Sequence, residues 1–210
     1  KSLFSKKNLV LFKRLGWDTS HFGNFCSFVA ETTQSQPFMT DDAEVERTIK
    51  FFNDNRSAHP IFYEIYLLAF GCGLRQSEIY QIRFEDFTTF NGQHFLVLPF
   101  ATKRTRLKNL SHSEKVGIPE KIYNHFVCQE KSGQVINGAK RLHKRFISFL
   151  RNDLGMHEEV KCCHRLRKLL GARLASEHGI YHAAKTLRNS VGVAERYYSD
   201  LTSHRNNLEV

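Results

Sequence analysis

His164 and Arg167 stand three positions apart in Cys163-His164-Arg165-Leu166-Arg167, at the head of a stretch with helical periodicity. That spacing sets both side chains on one helix face. Roughly thirty residues on, Tyr197 and Tyr198 lie side by side in a second helical pattern. A His/Arg pair can hold a phosphate through charge-assisted hydrogen bonds, and a tyrosine can attack one. A phenol with a pKa near 10 is only about one part in a thousand ionised at pH 7. The attack therefore needs cations close by or a base to take the proton.

The elements that must position these residues follow from periodicity and turn signals. Thr40 is a good N-cap, with Asp41, Asp42 and Glu44 in the first turn and Val45, Ile49 and Phe52 as the apolar stripe; Asn53-Asp54-Asn55 ends that helix. A strongly apolar helix is expected over roughly 60–72. Gly71 and Gly73 interrupt it, and Leu74–Ile79 restarts a helix. Over 84–118 the period changes to that of strands. Phe84–Phe90 and His94–Pro99 form a hairpin about Asn91-Gly92, a basic loop carries Lys103, Arg104, Arg106 and Lys108, and a third strand spans 115–118. Pro119 opens the next helix, over 119–130. Another spans 139–153, with Lys140, Arg141, Lys144 and Arg145 set against Leu142, Phe146, Phe149 and Leu150. This basic face suits either solvent or a DNA backbone. The expected fold is mostly α with a small three-stranded antiparallel sheet.

Composition narrows the partners. The 210 residues carry a formal charge of +10 and a pI near 9.5, which favours a polyanion, nucleic acid first. An apolar content of 41% with 18 Phe suffices for a core. Five cysteines without a C-x-x-C pair argue against a disulfide framework or a zinc site, and buried free thiols are expected instead. Cys162-Cys163-His164 is no exception, because adjacent helical side chains diverge by about 100°. No apolar run reaches the length of a membrane span, and no signal peptide or initiating Met is present. The chain is expected to be part of something longer. Residues 1–15 have helical spacing (Leu3, Leu9, Phe12, Leu15) with Gly16 as C-cap, and 17–37 have linker composition.

Three separated segments resemble one family, the tyrosine recombinases and phage-type integrases. Gly71-Cys-Gly-Leu-Arg-Gln-Ser-Glu-Ile79 resembles its T-G-L-R-x-S-E-L signature, and His164-Arg-Leu-Arg167 its H-x-L-R box. Leu187-Arg-Asn-Ser-Val-Gly-Val-Ala-Glu-Arg-Tyr-Tyr198 resembles its L-G-H-S-S-x-x-T-T-x-x-Y box. The match spans roughly residues 38–201. It implies a catalytic domain over 38–201, a helix in 1–16 left from an N-terminal core-binding domain, a linker over 17–37 and a tail over 202–210.

The resemblance also implies roles. Arg75 and Arg167 match the two arginines that clamp the scissile phosphate, His164 the second-box histidine, Glu78 a supporting acid and Tyr198 the nucleophile. Lys103 matches the hairpin lysine that protonates the leaving oxygen. By chemistry alone Lys108 is equally able to act as that acid, whereas Arg104 and Arg106 cannot give up a proton near neutral pH. Asn189 takes the place of the third-box histidine and Arg188 that of a glycine. An amide can donate to a phosphate oxygen but cannot shuttle a proton.

The expected activity is metal- and ATP-independent site-specific recombination or integration on double-stranded DNA. It proceeds through a 3′-phosphotyrosine, by a homotetramer on DNA that is a monomer as an isolated fragment. A cytoplasmic, nucleoid-associated protein without membrane contact fits that role, and Leu208 and Val210 in the tail suit a segment passed to a neighbouring subunit. Two alternatives share the motifs. One is a catalytically weakened DNA-binding homologue, motivated by Asn189 and Arg188. The other is type IB topoisomerase-like relaxation of supercoils.

Overall fold

The computed structural model describes residues 42–98, 114–156 and 162–203, the side chains of 139–140, 162 and 199–203 excepted. All of these lie in the unit Pro37–Val210. The helix and C-cap expected over 1–16, the linker over 17–37, Thr40, the basic loop with Lys103 and residues 204–210 fall outside the described residues.

Helix α1 (Asp42–Asp54) presents Val45, Thr48 and Phe52 to the core. Helix α2 (Pro60–Tyr66) opens on proline, whose missing N–H costs nothing there, and runs into a π-helical turn over Leu67–Gly71. Phe52 stacks on Tyr66 with ring centroids 4.1 Å apart, and Phe146 and Phe149 pack against Phe52 and Phe62. This aromatic packing uses much of the Phe content and fastens α1 and α2 to α5 (Ala139–Asn152).

The short helix α3 (Gln76–Ile79) precedes the sheet. Strands β1 (Phe87–Phe90), β2 (Gln93–Leu98) and β3 (Glu114–Gly117) pair antiparallel in that order. Phe84–Asp86, expected as strand, instead forms a 3₁₀ turn, because the Asp86 carboxylate caps the Arg83 N–H at 2.9 Å. Asn91 and Gly92 both take positive φ, at 49° and 72°, which matches the turn to the twist of the hairpin. Phe87, Leu96 and Val116 align across the three strands and are all buried, so one sheet face is core. Phe87 packs on Phe126 of α4 (Glu120–Val127) at 4.7 Å.

The C-terminal third holds three helices where periodicity predicts two: α6 (Cys162–His178), α7 (Ile180–Thr186) and α8 (Val191–Ser203). Gly179, at φ 85°, ends the first of them without steric cost. Helix α6 is the central one. Leu166, Leu169, Leu170, Ala172 and Ala175 are all buried, and α6 packs against α1, α5, α7, α8 and the π turn. The last helix runs on to Ser203, past the tail boundary expected at Thr202. Buried free thiols are found at Cys72 and Cys163, but Cys128, at the end of α4, is exposed.

Candidate active site

The first motif is built by the end of the π turn. Widening the helix there gives a Cys72 N–H to Leu67 O bond and carries the chain on to a Leu74 N–H to Leu68 O bond, both 3.0 Å. Gly73 between them has φ 61°, and a Cβ there would press on Leu170 and Leu187 at 3.0 Å. Only glycine fits this left-handed, crowded position. The chain then turns at Arg75 into α3. The Glu78 carboxylate reaches back to accept the Arg75 N–H at 2.7 Å, one half of a capping box.

That carboxylate is almost wholly buried, at 1% exposure. Its Oε1 accepts from Arg75 Nη1 at 2.8 Å, and its Oε2 accepts from Arg188 Nη2. Arg75 Nη2 donates to the Arg188 carbonyl at 3.1 Å. Arg75 keeps 35% of its side chain exposed while both of its Nη atoms are engaged.

Arg167 comes from the middle of α6 and is 2% exposed. Its Nη1 donates to the Gly73 carbonyl, and its Nη2 to the Leu187 carbonyl and, at 3.2 Å, to Asn189 Oδ1. Burial, followed by the charges of Arg75 and Arg188, draws the Arg167 guanidinium down to about 9, so it remains charged at neutral pH. Two guanidiniums, Arg75 and Arg188, thus bind one buried carboxylate, and Arg167 is held nearby on uncharged acceptors. With Glu114 Oε2, 4.0 Å from Arg188 Nε, a positive surplus remains among the described groups. An added anion is favoured in such a field.

Tyr198, on α8, is 2% exposed, and its phenol lies over Gly171, one turn beyond Arg167 on α6. Burial pushes the phenol up to about 12, although Arg167 works in the opposite direction. Tyr197 lies outside this packing, half-buried, with Lys168 Nζ 4.9 Å from its ring centre. His164 is exposed on the first turn of α6. That turn is fastened to α1 by Arg165, which donates to Glu44 Oε1 through Nε at 2.9 Å and through Nη2 at 2.6 Å.

The structure therefore gathers Arg75, Glu78, Arg167 and Asn189 into one cluster, with Tyr198 beside Arg167. His164 is on the same helix as Arg167 but exposed. Lys103 lies outside the described residues. Arg188, read in the sequence only as a departure from glycine, is a full member of the cluster. Gly171, whose bare Cα makes room for the phenol, carried no signal in the sequence.

The fold is that of tyrosine recombinase catalytic domains. Among solved structures, the chain is similar to the XerH site-specific recombinase bound to palindromic difH substrate in a post-cleavage complex. The TM-score is 0.62 and the identity 15%, over 83% of this chain and 53% of that one. A pre-cleavage XerH complex with difH gives 0.56 and 16%, over 84% and 52%. The XerA recombinase gives 0.55 and 16%, over 82% and 65%. The chain spans about half the length of the XerH chains, and at these identities the likeness is one of fold. No protein-family model and no curated protein sequence matches the chain.

Proposed function

We propose that this chain is the catalytic part of a site-specific DNA recombinase or integrase that works through a 3′-phosphotyrosine. Tyr198 Oη bonds to the phosphorus, the P–O bond to the 5′-oxygen breaks, and that oxygen leaves with a proton. A 5′-hydroxyl from the partner strand then reverses the step. The bond energy stays in the covalent link, so the cycle calls on neither ATP nor metal. The pentacoordinate phosphorus carries added negative charge, which preorganised guanidiniums stabilise. In this reading Arg75 and Arg167 are those groups, Asn189 has its amide N–H to donate, His164 receives the tyrosine proton and Lys103 supplies the proton for the leaving oxygen.

The observation that carries the reading is the meeting of Arg75 and Arg167 on adjacent carbonyls, those of Arg188 and Leu187, with the Tyr198 phenol packed next to Arg167 on α6. The exposed Arg141, Lys144 and Arg145 of α5 add a basic stripe suited to a phosphate backbone. The catalytic domain is assigned to 38–201. A tetramer on DNA, an additional DNA-gripping domain and a nucleoid location complete the proposal. Because the docked phenol is buried and protonated, α8 must release Tyr198 before attack.

The test is covalent capture from a random-sequence pool of nicked duplexes, followed by sequencing of the trapped DNA. Wild-type protein and Tyr197→Phe should form an adduct, and Tyr198→Phe should not. An adduct that persists in Tyr198→Phe refutes the nucleophile. A second reading, a silenced DNA-binding homologue, is favoured by Asn189, an amide that cannot shuttle a proton, at the position of the third-box histidine. It predicts salt-sensitive DNA binding with no adduct from any duplex.

A further inference from the structure

Arg188 occupies a left-handed backbone position, φ 52°, that glycine takes freely and arginine does not. Its side chain is nevertheless 8% exposed and directed inward. The guanidinium binds Glu78 Oε2, while the carbonyl of the same residue accepts Arg75 Nη2 at 3.1 Å. Arg75 Nη1 returns to Glu78 Oε1 at 2.8 Å, which closes a ring of three side chains and one carbonyl. Glu78 already has Arg75 as its counter-ion, so charge balance alone does not require a second guanidinium. What Arg188 adds is a second, charged donor on Oε2, which already accepts the Arg75 N–H at 2.7 Å, and a carbonyl that holds Arg75 Nη2. Glu78 and the Arg188 carbonyl together fix the Arg75 guanidinium through both Nη atoms, while 35% of that side chain stays exposed. Glu114, at the start of β3, is 4.0 Å from Arg188 Nε, so the same residue also borders the sheet.

We propose that Arg188 is a positioning residue that acts through Glu78 on Arg75 and sets that guanidinium for a phosphate. The inference rests on the recombinase reading and assigns a function to a residue that the family resemblance leaves as glycine. It predicts an effect on the chemical step with DNA affinity preserved, because misplacing a clamp group by about 1 Å slows reaction on the order of 100-fold.

The experiment is single-turnover cleavage of a captured nicked duplex by the full-length protein, with DNA affinity measured separately. Arg188→Gly should cleave at least about 30-fold more slowly with its Kd within about threefold of wild type. Arg188→Lys, which keeps the charge but not the planar fork, should lie between the two. Combined with Arg75→Lys, Arg188→Gly should add little further loss, since both changes act on one group. Wild-type cleavage by Arg188→Gly overturns the inference and leaves the recombinase reading intact. A rate loss matched by lost affinity also overturns it. Should Arg188→Gly fail to fold, Arg188→Lys decides: slowed cleavage supports the inference and wild-type speed overturns it. Should the wild-type protein form no adduct at all, the recombinase reading falls. The rise in Tm with inorganic phosphate then decides: a smaller rise in Arg188→Lys supports the positioning of Arg75, and an equal rise overturns it.

Discussion

The phenol of Tyr198 rests on the bare Cα of Gly171, where a methyl group would strike both Oη and Cζ. A helix-interior glycine is costly by about 1 kcal/mol relative to alanine, so α6 gives up stability at this point to accommodate the ring. Gly171→Ala recovers that propensity but overpacks the site at a typical cost of 1–3 kcal/mol. The expected outcome is a protein less stable by about 1 kcal/mol whose Tyr198 is displaced. Nitration of Tyr198 by tetranitromethane should become faster, as read by peptide mapping. An unchanged nitration rate would show that the phenol does not depend on Gly171 for its seat.

Tyr198 also gives a pH signature. Its folded pKa is raised to about 12 from an ordinary 10, chiefly by burial. The neutral phenol is thus favoured in the folded state, so its contribution is complete below pH 10 and is lost as pH rises from 10 to 12. The loss approaches about 2–3 kcal/mol at the upper end. Buried Tyr66 and Cys72 and half-buried Tyr80 are raised too, so the fold as a whole weakens in alkali. The part due to Tyr198 is isolated by Tyr198→Phe. Urea unfolding at pH 9 and pH 11 should show a smaller drop for the variant than for wild type.

Arg167 donates to three acceptors, two of them main-chain carbonyls in the core. An ammonium on a lysine stem cannot span them. Arg167→Lys should destabilise by about 2–4 kcal/mol through carbonyls left unpaired. Under the proposed function it should also slow cleavage by about 10²–10³-fold, the scale of one lost charge-stabilising donor. Denaturant titration and single-turnover assays measure the two effects separately.

Asn189 permits a prediction of opposite signs. Its Oδ1 accepts from Arg167 at 3.2 Å in a pocket with excess positive charge. Asn189→Asp converts that contact into a charge-assisted bond and should raise stability by about 1 kcal/mol. The same carboxylate repels a phosphate, so DNA cleavage should fall while Tm rises. A simultaneous fall of both would indicate that the pocket does not carry the surplus charge assigned to it.

Much of this was legible in the sequence, for identifiable reasons. The strands announced themselves through Asn91-Gly92 and through the alternation that buries Leu96 and Leu98. Arg75 and Glu78 were legible because both stand in the one contiguous segment that resembles the G-L-R-x-S-E-L signature. Arg188 was not, because its partner Glu78 lies 110 positions away and nothing local marks the pairing. The break between α6 and α7 was missed because Gly179 sits within an otherwise unbroken helical pattern, and its positive φ is a property of the fold. Phe84–Asp86 misled because aromatic residues suggest strand, while a single carboxylate cap turned the backbone. The burial of Tyr198 was also hidden, since it depends on an absent side chain at Gly171.

The way Arg167 is held has a consequence for how the pocket answers salt. Its direct partners are two peptide carbonyls and an amide, all uncharged. An arriving phosphate therefore finds a cation whose unit charge has been steadied by dipoles and not cancelled by a carboxylate. No internal ion pair has to be broken at Arg167 for the anion to enter. Soluble anions should accordingly compete for this spot, and sulfate or phosphate in the buffer should slow the protein's reaction with DNA beyond what ionic strength alone explains.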